Sequence, residues 1–378
     1  MTAASRGSWP RHLGRGADDQ PPQYITGEQI GRGADDQPPQ YVTGEQIGRG
    51  ADDQPPQYVT GEQIGRGADN EPPPYVTGEQ IRRVLPMEHA VMALEQAFRA
   101  RAGEDDPPRM AVPWSHGELL VMPSEHAEWA GTKLVTVAPG NPALSVDRIN
   151  GTYVLFDAAT LVPRLLLDAS ELTALRTAAV SALATRYLAH TDARTLVVFG
   201  TGPQARSHVR AMLGVRQLAE VRVVSRDPAR AAKLADELAV EHGLPVTPGT
   251  PADVATADIV CTCTGSATPL FDGRLLADVA HVNAIGGHHP EVREVDGETV
   301  RRAFVVVEQP GPARREAGDL IMAVKSGAAD DSVFDVDLHR VVTEPWTRPE
   351  RPTLFKSVGL AMEDLVVAAE IATKVLTP

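Results

Sequence analysis

The segment Gly200-Thr201-Gly202-Pro203-Gln204-Ala205 lies between an apolar run at 195–199 and a helix-like stretch. A glycine turn between strand and helix is suited to holding a pyrophosphate. Its first glycine allows the tight turn, the second lets the backbone approach the phosphates, and a small third residue, here Ala205, lets helix and strand pack closely. The phosphates then rest on a helix N-terminus, where unpaired N–H groups and the helix dipole favour negative charge. The end of the next strand reports on the ribose. An acidic residue there would suit a 2′-hydroxyl, whereas Ser225-Arg226 offers a hydroxyl and a guanidinium, which suit a 2′-phosphate. NADP(H) is therefore the favoured cofactor. NAD(H) stays possible, because Asp227 follows one residue later.

The elements that must position this turn form a strict βαβ pattern from residue 194. A short apolar strand at 195–199 precedes a helix with Ala205, Val209, Met212 and Leu213 inward. A strand at 221–225 and a helix at 228–242 follow, with further strands expected at 258–263, 281–285 and 304–308. Such alternation indicates a doubly wound sheet. Upstream, strands are expected at 133–137 and 153–156 and a long Ala-rich helix at 172–189. A last Ala/Val-rich helix at 362–375 should pack on the first domain.

The chain has 378 residues, enough for two domains, with 42% apolar residues and a formal net charge of −14. That charge argues against a nucleic-acid-binding face. No apolar run reaches the ~18 residues that span a bilayer, and the first residues lack a signal-peptide core, so a cytoplasmic enzyme without membrane association is expected. Cys261 and Cys263 are too few for a disulfide framework, and their spacing puts both on one face of a packed strand. A 17-residue unit fills 14–30, 31–47 and 48–64, and a diverged fourth copy fills 65–81. Each copy is rich in Gly, Pro and Asp and can bury little apolar surface. Residues 1–64 are therefore expected to be a disordered tail of surplus copies of the domain's own first strand. The rival reading gives the repeats a place on a sheet edge or on a partner. Only the fourth copy leads directly into a helical apolar stripe with Val91, Leu94 and Phe98.

Residues 75–378 resemble the ornithine cyclodeaminase/mu-crystallin family. The resemblance rests on Gly131-Thr132-Lys133, Pro139-Gly140-Asn141-Pro142, Leu155-Phe156-Asp157, the run from Leu172 to Ala179, the 200–205 turn, Val282-Asn283-Ala284-Ile285-Gly286, and Ser357-Val358-Gly359 followed by Glu363-Asp364. It implies an α/β fold in which a Rossmann domain, 191–339, is inserted in an α+β substrate-binding and dimerisation domain, 65–190 with 340–378, and it implies a homodimer. It places Lys133, Arg176 and Arg109 around the substrate. It adds Arg176, Thr177, Thr264, Ile285, Gly286 and Ser357 to the cofactor residues Gly200 to Ala205, Ser225 and Arg226. The chemistry agrees with these residue types. A small amino acid presents a carboxylate that cations can fix so that its Cα faces a nicotinamide, and a buried lysine can move a proton.

Two positions depart from the family. Cyclodeaminases carry a catalytic Asp just after the Gly-Gly of this segment, where His288 and His289 stand here. A Gly-Leu-Pro-Thr stretch is replaced by Ser145-Val146-Asp147-Arg148. A histidine with an ordinary pKa of ~6.5 could protonate an imine nitrogen. The reading is an NAD(P)(H)-dependent oxidoreductase acting on the C–N bond of a small amino or imino acid, with Lys133 or His288 moving the proton and no metal. The alternatives are an ammonia-releasing ornithine or lysine cyclodeaminase with bound NAD, and a non-catalytic NADPH-binding protein.

Overall fold

The computed structural model describes residues 72–376. The three upstream repeat copies and both readings of them fall outside the described residues. From the fourth copy, Tyr75–Val76 forms strand β1. The residues after it are not strand. Thr77 caps helix α1 (Gly78–Val84) and exchanges hydrogen bonds with Gln80 in a reciprocal capping box. Ile81 on this helix is fully buried. In the fourth copy, the YVTGEQI segment therefore forms a strand end and a capped helix start together.

Helix α2 (Met87–Arg99) buries Val91, Leu94 and Phe98 along one face. The chain then lays down β2 (Met110–Trp114), β3 (Gly117–His126), β4 (Trp129–Val137), β5 (Ile149–Asp157) and β6 (Pro163–Asp168). These make a six-stranded sheet in the order β1-β6-β5-β4-β3-β2, antiparallel except where β1 runs parallel to β6. Register puts Met122, Lys133 and Tyr153 side by side on three strands, so their side chains share a face. That face is buried and carries Leu120, Val135 and Leu155 as well. The other face exposes Met110, Val112, Trp114 and Leu134.

Helix α3 (Ala169–Leu188) starts at Asp168, whose carboxylate accepts from the N–H groups of Ser170 and Glu171. Every residue from Ala174 to Thr185 is buried, Arg176, Thr177, Ser181 and Thr185 among them, so the helix is enclosed on all sides.

The second sheet comprises β7 (Thr195–Phe199), β8 (Glu220–Val224), β9 (Val246–Pro248), β10 (Ile259–Thr262), β11 (His281–Ala284), β12 (Phe304–Val307) and β13 (Thr353–Lys356). The order is β12-β13-β11-β10-β7-β8-β9 and every pairing is parallel. Helices α4 (Pro203–Val215), α5 (Pro228–His242), α6 (Gly297–Arg302), α7 (Pro310–Glu316), α8 (Gly318–Lys325) and α9 (Leu338–Thr343) connect or follow these strands, and α10 (Ala361–Val375) closes the chain. Residues 353–356, expected in the first domain, form an interior strand of the second sheet.

The chain runs outward from β7 through β8 to β9, then returns to β10 on the other side of β7. This reversal opens a crevice at the carboxyl ends of β7 and β10, the usual ligand position in such sheets. Among the described residues, no helix is long and apolar enough to cross a membrane.

Candidate active site

The 200–205 turn stands at that crevice. Gly200 has φ +114, and a Cβ there would lie 2.4 Å from the carbonyl oxygen of Cys263, so only glycine fits. Gly202 is the N-cap of α4, with no side chain capping the helix and open space where a Cβ would stand; Pro203 occupies the first turn. Ala205 is buried against β7. An uncapped helix start facing open space fits a pyrophosphate cradle. At the tip of β8, Ser225 is half-buried and Arg226 exposed. Asp227 caps α5, its carboxylate accepting from the N–H groups of Ala229 and Arg230. It is thus engaged by a helix rather than presented to a ribose.

The opposite wall of the crevice comes from the loops after β10 and β11. Glu294, fully buried, accepts from Thr262 Oγ1, from the N–H and hydroxyl of Thr264, and from the N–H of Gly286. One carboxylate thereby fixes both loops. Ile285 donates its N–H to Thr262 O, and Ser357 donates its N–H to Ala284 O, so the residue after β13 joins the same rim.

The substrate side is a buried ion-pair cluster. Lys133 is 3% exposed and its Nζ donates to Asp364 at 2.7 Å and to Thr173 Oγ1 at 3.3 Å. Thr173 O accepts from Gln204 Nε2 at 3.3 Å, so a single residue links the lysine to the cofactor turn. Arg176 reaches Glu363 at 2.7 Å through Nη1 and Asp364 at 3.2 Å through Nε, with Thr177 buried beside it on α3. Both acids lie in the first turn of α10, where the helix dipole also favours them. Arg109 donates from Nη2 to Glu316 and to the carbonyls of Val358 and Gly359, and its buried Nε has no partner. Gly359 has φ +80, and a Cβ there would stand 2.8 Å from Arg176 Nη1. The backbone therefore passes directly against the guanidinium.

Burial and the neighbouring Arg176 bring the Lys133 ammonium down to about 8, with Asp364 pulling the other way. For Arg176, burial works against the charge but Asp364, Glu363 and Glu308 outweigh it, and its pKa is raised. Of the two cations, Lys133 is the one whose pKa is brought toward neutrality, while that of Arg176 moves away from it.

His288 differs from expectation. Burial, then the charges of Arg109, His289, Lys356 and Lys133, push it down to about 3. That lowering disfavours the imidazolium form from which a proton would be given at neutral pH. His289 stacks on it with ring centroids 4.4 Å apart and is exposed. Arg148 is exposed, with Nη1 4.0 Å from where a Cβ on Gly265 would lie, so it faces the loop after β10. Cys261 is buried, and burial pushes its thiol up to about 12.

Several residues of the site are not evident from sequence. Asp364 and Glu363 pair with the cations, and Glu308 accepts from the N–H groups of Val358 and Gly359 beside them. Fully buried Lys356 donates to Gly287 O at 2.7 Å, pairs with Asp319 at 2.8 Å, and so anchors the loop carrying His288. Asp319 also accepts from the N–H groups of Glu294 and Val295. Their signal is a charge abutting a short apolar run, as in Thr-Leu-Phe-Lys and Val-Val-Val-Glu, since a charge in such a place must find a partner.

A doubly wound sheet with a pyrophosphate turn, facing a buried lysine among arginines, defines an NAD(P)-dependent oxidoreductase acting on carbon–nitrogen bonds. Residues 76–377 match the model of the ornithine cyclodeaminase/mu-crystallin family, and the chain belongs to that family. It is 35% identical over 296 residues to a Δ1-pyrroline-2-carboxylate reductase of Bacillus cereus, covering 76% of this chain and 90% of the relative. The structure of the Thermococcus litoralis Δ1-pyrroline-2-carboxylate reductase, in complex with NADH and L-proline, superposes with a TM-score of 0.75 at 28% identity, covering 80% of this chain and 97% of the other. An archaeal alanine dehydrogenase dimer with bound NAD gives a TM-score of 0.74 at 27% identity, with 80% and 95% covered.

Proposed function

We propose that the protein reduces a cyclic α-imino acid of the Δ1-pyrroline-2-carboxylate class to the corresponding amino acid. The observation that carries this reading is Lys133, a buried ammonium with a pKa near 8, joined through Thr173 to the cofactor turn and set beside two arginines. The unpartnered Nε of Arg109 offers the substrate carboxylate a buried donor. Leu120, Met122 and Val135 share the Lys133 face of the sheet, an apolar lining suited to a hydrocarbon ring. A reduced nicotinamide cofactor held on the 200–205 turn would supply the hydride for Cα of the C=N bond. Lys133 gives its proton to the nitrogen, and Asp364 holds the ammonium in place. Neutral His288 lines the site without moving a proton. His288 also stands where a cyclodeaminase needs a carboxylate, which disfavours ammonia release from a diamino acid.

Two further assignments accompany this reading. Arg226 and Ser225 favour NADPH, because Asp227 is occupied in capping α5. A second copy of the chain covers the outer sheet face of Met110, Val112, Trp114 and Leu134, an apolar surface rare on a monomer. The test is oxidation of reduced cofactor, followed by its absorbance, with Δ1-pyrroline-2-carboxylate and with open-chain α-keto acids plus ammonia. A stoichiometric change with the cyclic imine is expected. Activity only on ornithine or lysine, with ammonia released and no net change in absorbance, would overturn the proposal.

A further inference from the structure

The cation cluster is held by more acids than it can neutralise. Arg109, Arg176 and Lys133 face Glu316, Asp364, Glu363 and Glu308, and the last three acids are buried. Glu308 follows β12, and its Oε2 accepts from the N–H groups of Val358 at 2.8 Å and Gly359 at 2.9 Å. Glu363, on α10, accepts from Arg176 through Oε2. The remaining oxygen of each, Oε1, has no donor among the side chains and backbone around it. The two carboxyls lie within hydrogen-bonding reach of one another. Two buried acceptor oxygens that meet without a donor are satisfied by one proton between them, and that proton also brings the cluster to electrical balance.

We propose that Glu308 and Glu363 share one proton in a buried hydrogen bond that locks the 357–359 turn and thereby positions Arg109 and Arg176. Glu308 comes from the dinucleotide-binding sheet and Glu363 from the substrate domain, so the bond is also a latch between the two. The turn it holds presents the carbonyls of Val358 and Gly359 to Arg109 Nη2, and Gly359 packs on Arg176. The charged groups facing the pair are Arg176 on α3 and Asp364 on α10. Beyond them stand Lys133 on β4, Arg109 before β2 and its partner Glu316 on α7. Burial and the charge of Glu308 raise Glu363 well above the ordinary carboxylate range, the direction that favours its protonated form. A carboxyl raised on folding lends stability that is complete below its unfolded pKa and is lost as pH rises through the folded one. Both acids act through the turn and the arginines, so they are positioning residues. The inference is independent of which imino acid is the substrate.

The test uses the full chain and two substitutions. In E363Q the amide donates to Glu308 and still accepts from Arg176, but it has no proton to lose. Infrared difference spectra of the wild type at neutral pH should show a buried protonated-carboxyl C=O band that is missing from E363Q. The wild-type Tm minus that of E363Q should fall as pH rises. Glu363→Ala should weaken NAD(P)H binding at least about tenfold, with E363Q recovering most of the loss; a tenfold change in affinity equals 1.36 kcal/mol. If E363Q does not fold, E308Q makes the same amide–acid pair and should likewise lose the band. No such band in the wild type, or its survival in the Gln variant, would overturn the proposal. So would a Tm difference that does not change with pH.

Discussion

Replacing Lys133 by methionine separates the chemistry of the cluster from its contribution to stability. Holding the lysine charged inside the fold near neutral pH costs about 3 kcal/mol, the equivalent of moving its pKa from 10.5 to about 8. Methionine fills similar volume and removes that penalty. It also takes from Asp364 its 2.7 Å partner, leaving the 3.2 Å contact with Arg176. Full rupture of a buried pair costs ~3–5 kcal/mol, and here Arg176 keeps part of it. The two effects nearly cancel, so Tm should move by only a few degrees. Activity should not survive in the same way, since loss of a positioned proton donor lowers rate by about 10²–10⁴. The assay is kcat/KM for imine reduction across pH, beside thermal melts of both proteins. In the wild type, kcat/KM should decline about tenfold per pH unit above about 8, as the ammonium is lost. The lysine's depressed pKa means that its contribution to stability is present above 10.5 and lost as pH falls through about 8. The wild-type Tm minus that of the variant should therefore grow as pH rises between those values. A variant retaining more than about a tenth of wild-type kcat/KM would refute Lys133 as the donor.

Other expectations follow from single contacts. Gly359→Ala drives a Cβ to within 2.8 Å of Arg176 Nη1 at φ +80 and should raise the substrate KM with little change in far-UV circular dichroism. Arg226→Ala should lower kcat/KM with NADPH by about tenfold to a hundredfold and leave NADH nearly unaffected, as read from steady-state kinetics with each cofactor. Leu134→Arg puts a charge on the outer apolar face and should yield monomers by light scattering; an unchanged dimer would place the interface elsewhere.

The cofactor turn was legible because its determinants are local. Gly200, Gly202 and Ala205 lie within six residues between a strand and a helix, where sterics dictate Gly200 and the open space at Gly202 leaves the helix start free for phosphates. The cations Lys133 and Arg176 were marked by the family motifs around them. Their acids were less visible as partners, because Lys133 and Asp364 are 231 residues apart in sequence and meet only in the folded chain. His288 shows the same limit. Its residue type suggests titration near neutrality, yet burial first, and then the charges of Arg109, Lys356 and Lys133 from separate segments, lower its pKa. Strand β13 has only four residues, and its place inside the parallel sheet is set by β11 and β12 on either side. Strand β2 holds Pro113 and pairs only with β3 at the sheet edge, where a proline is tolerated but disguises the strand.

The most direct measurement follows the hydride. With cofactor deuterated at the transferable nicotinamide position and Δ1-pyrroline-2-carboxylate as substrate, mass spectrometry and NMR of the product should find proline carrying one deuterium at Cα. Proline without that label, or no turnover of the cyclic imine while ornithine or lysine is consumed with release of ammonia, would contradict imine reduction at this site.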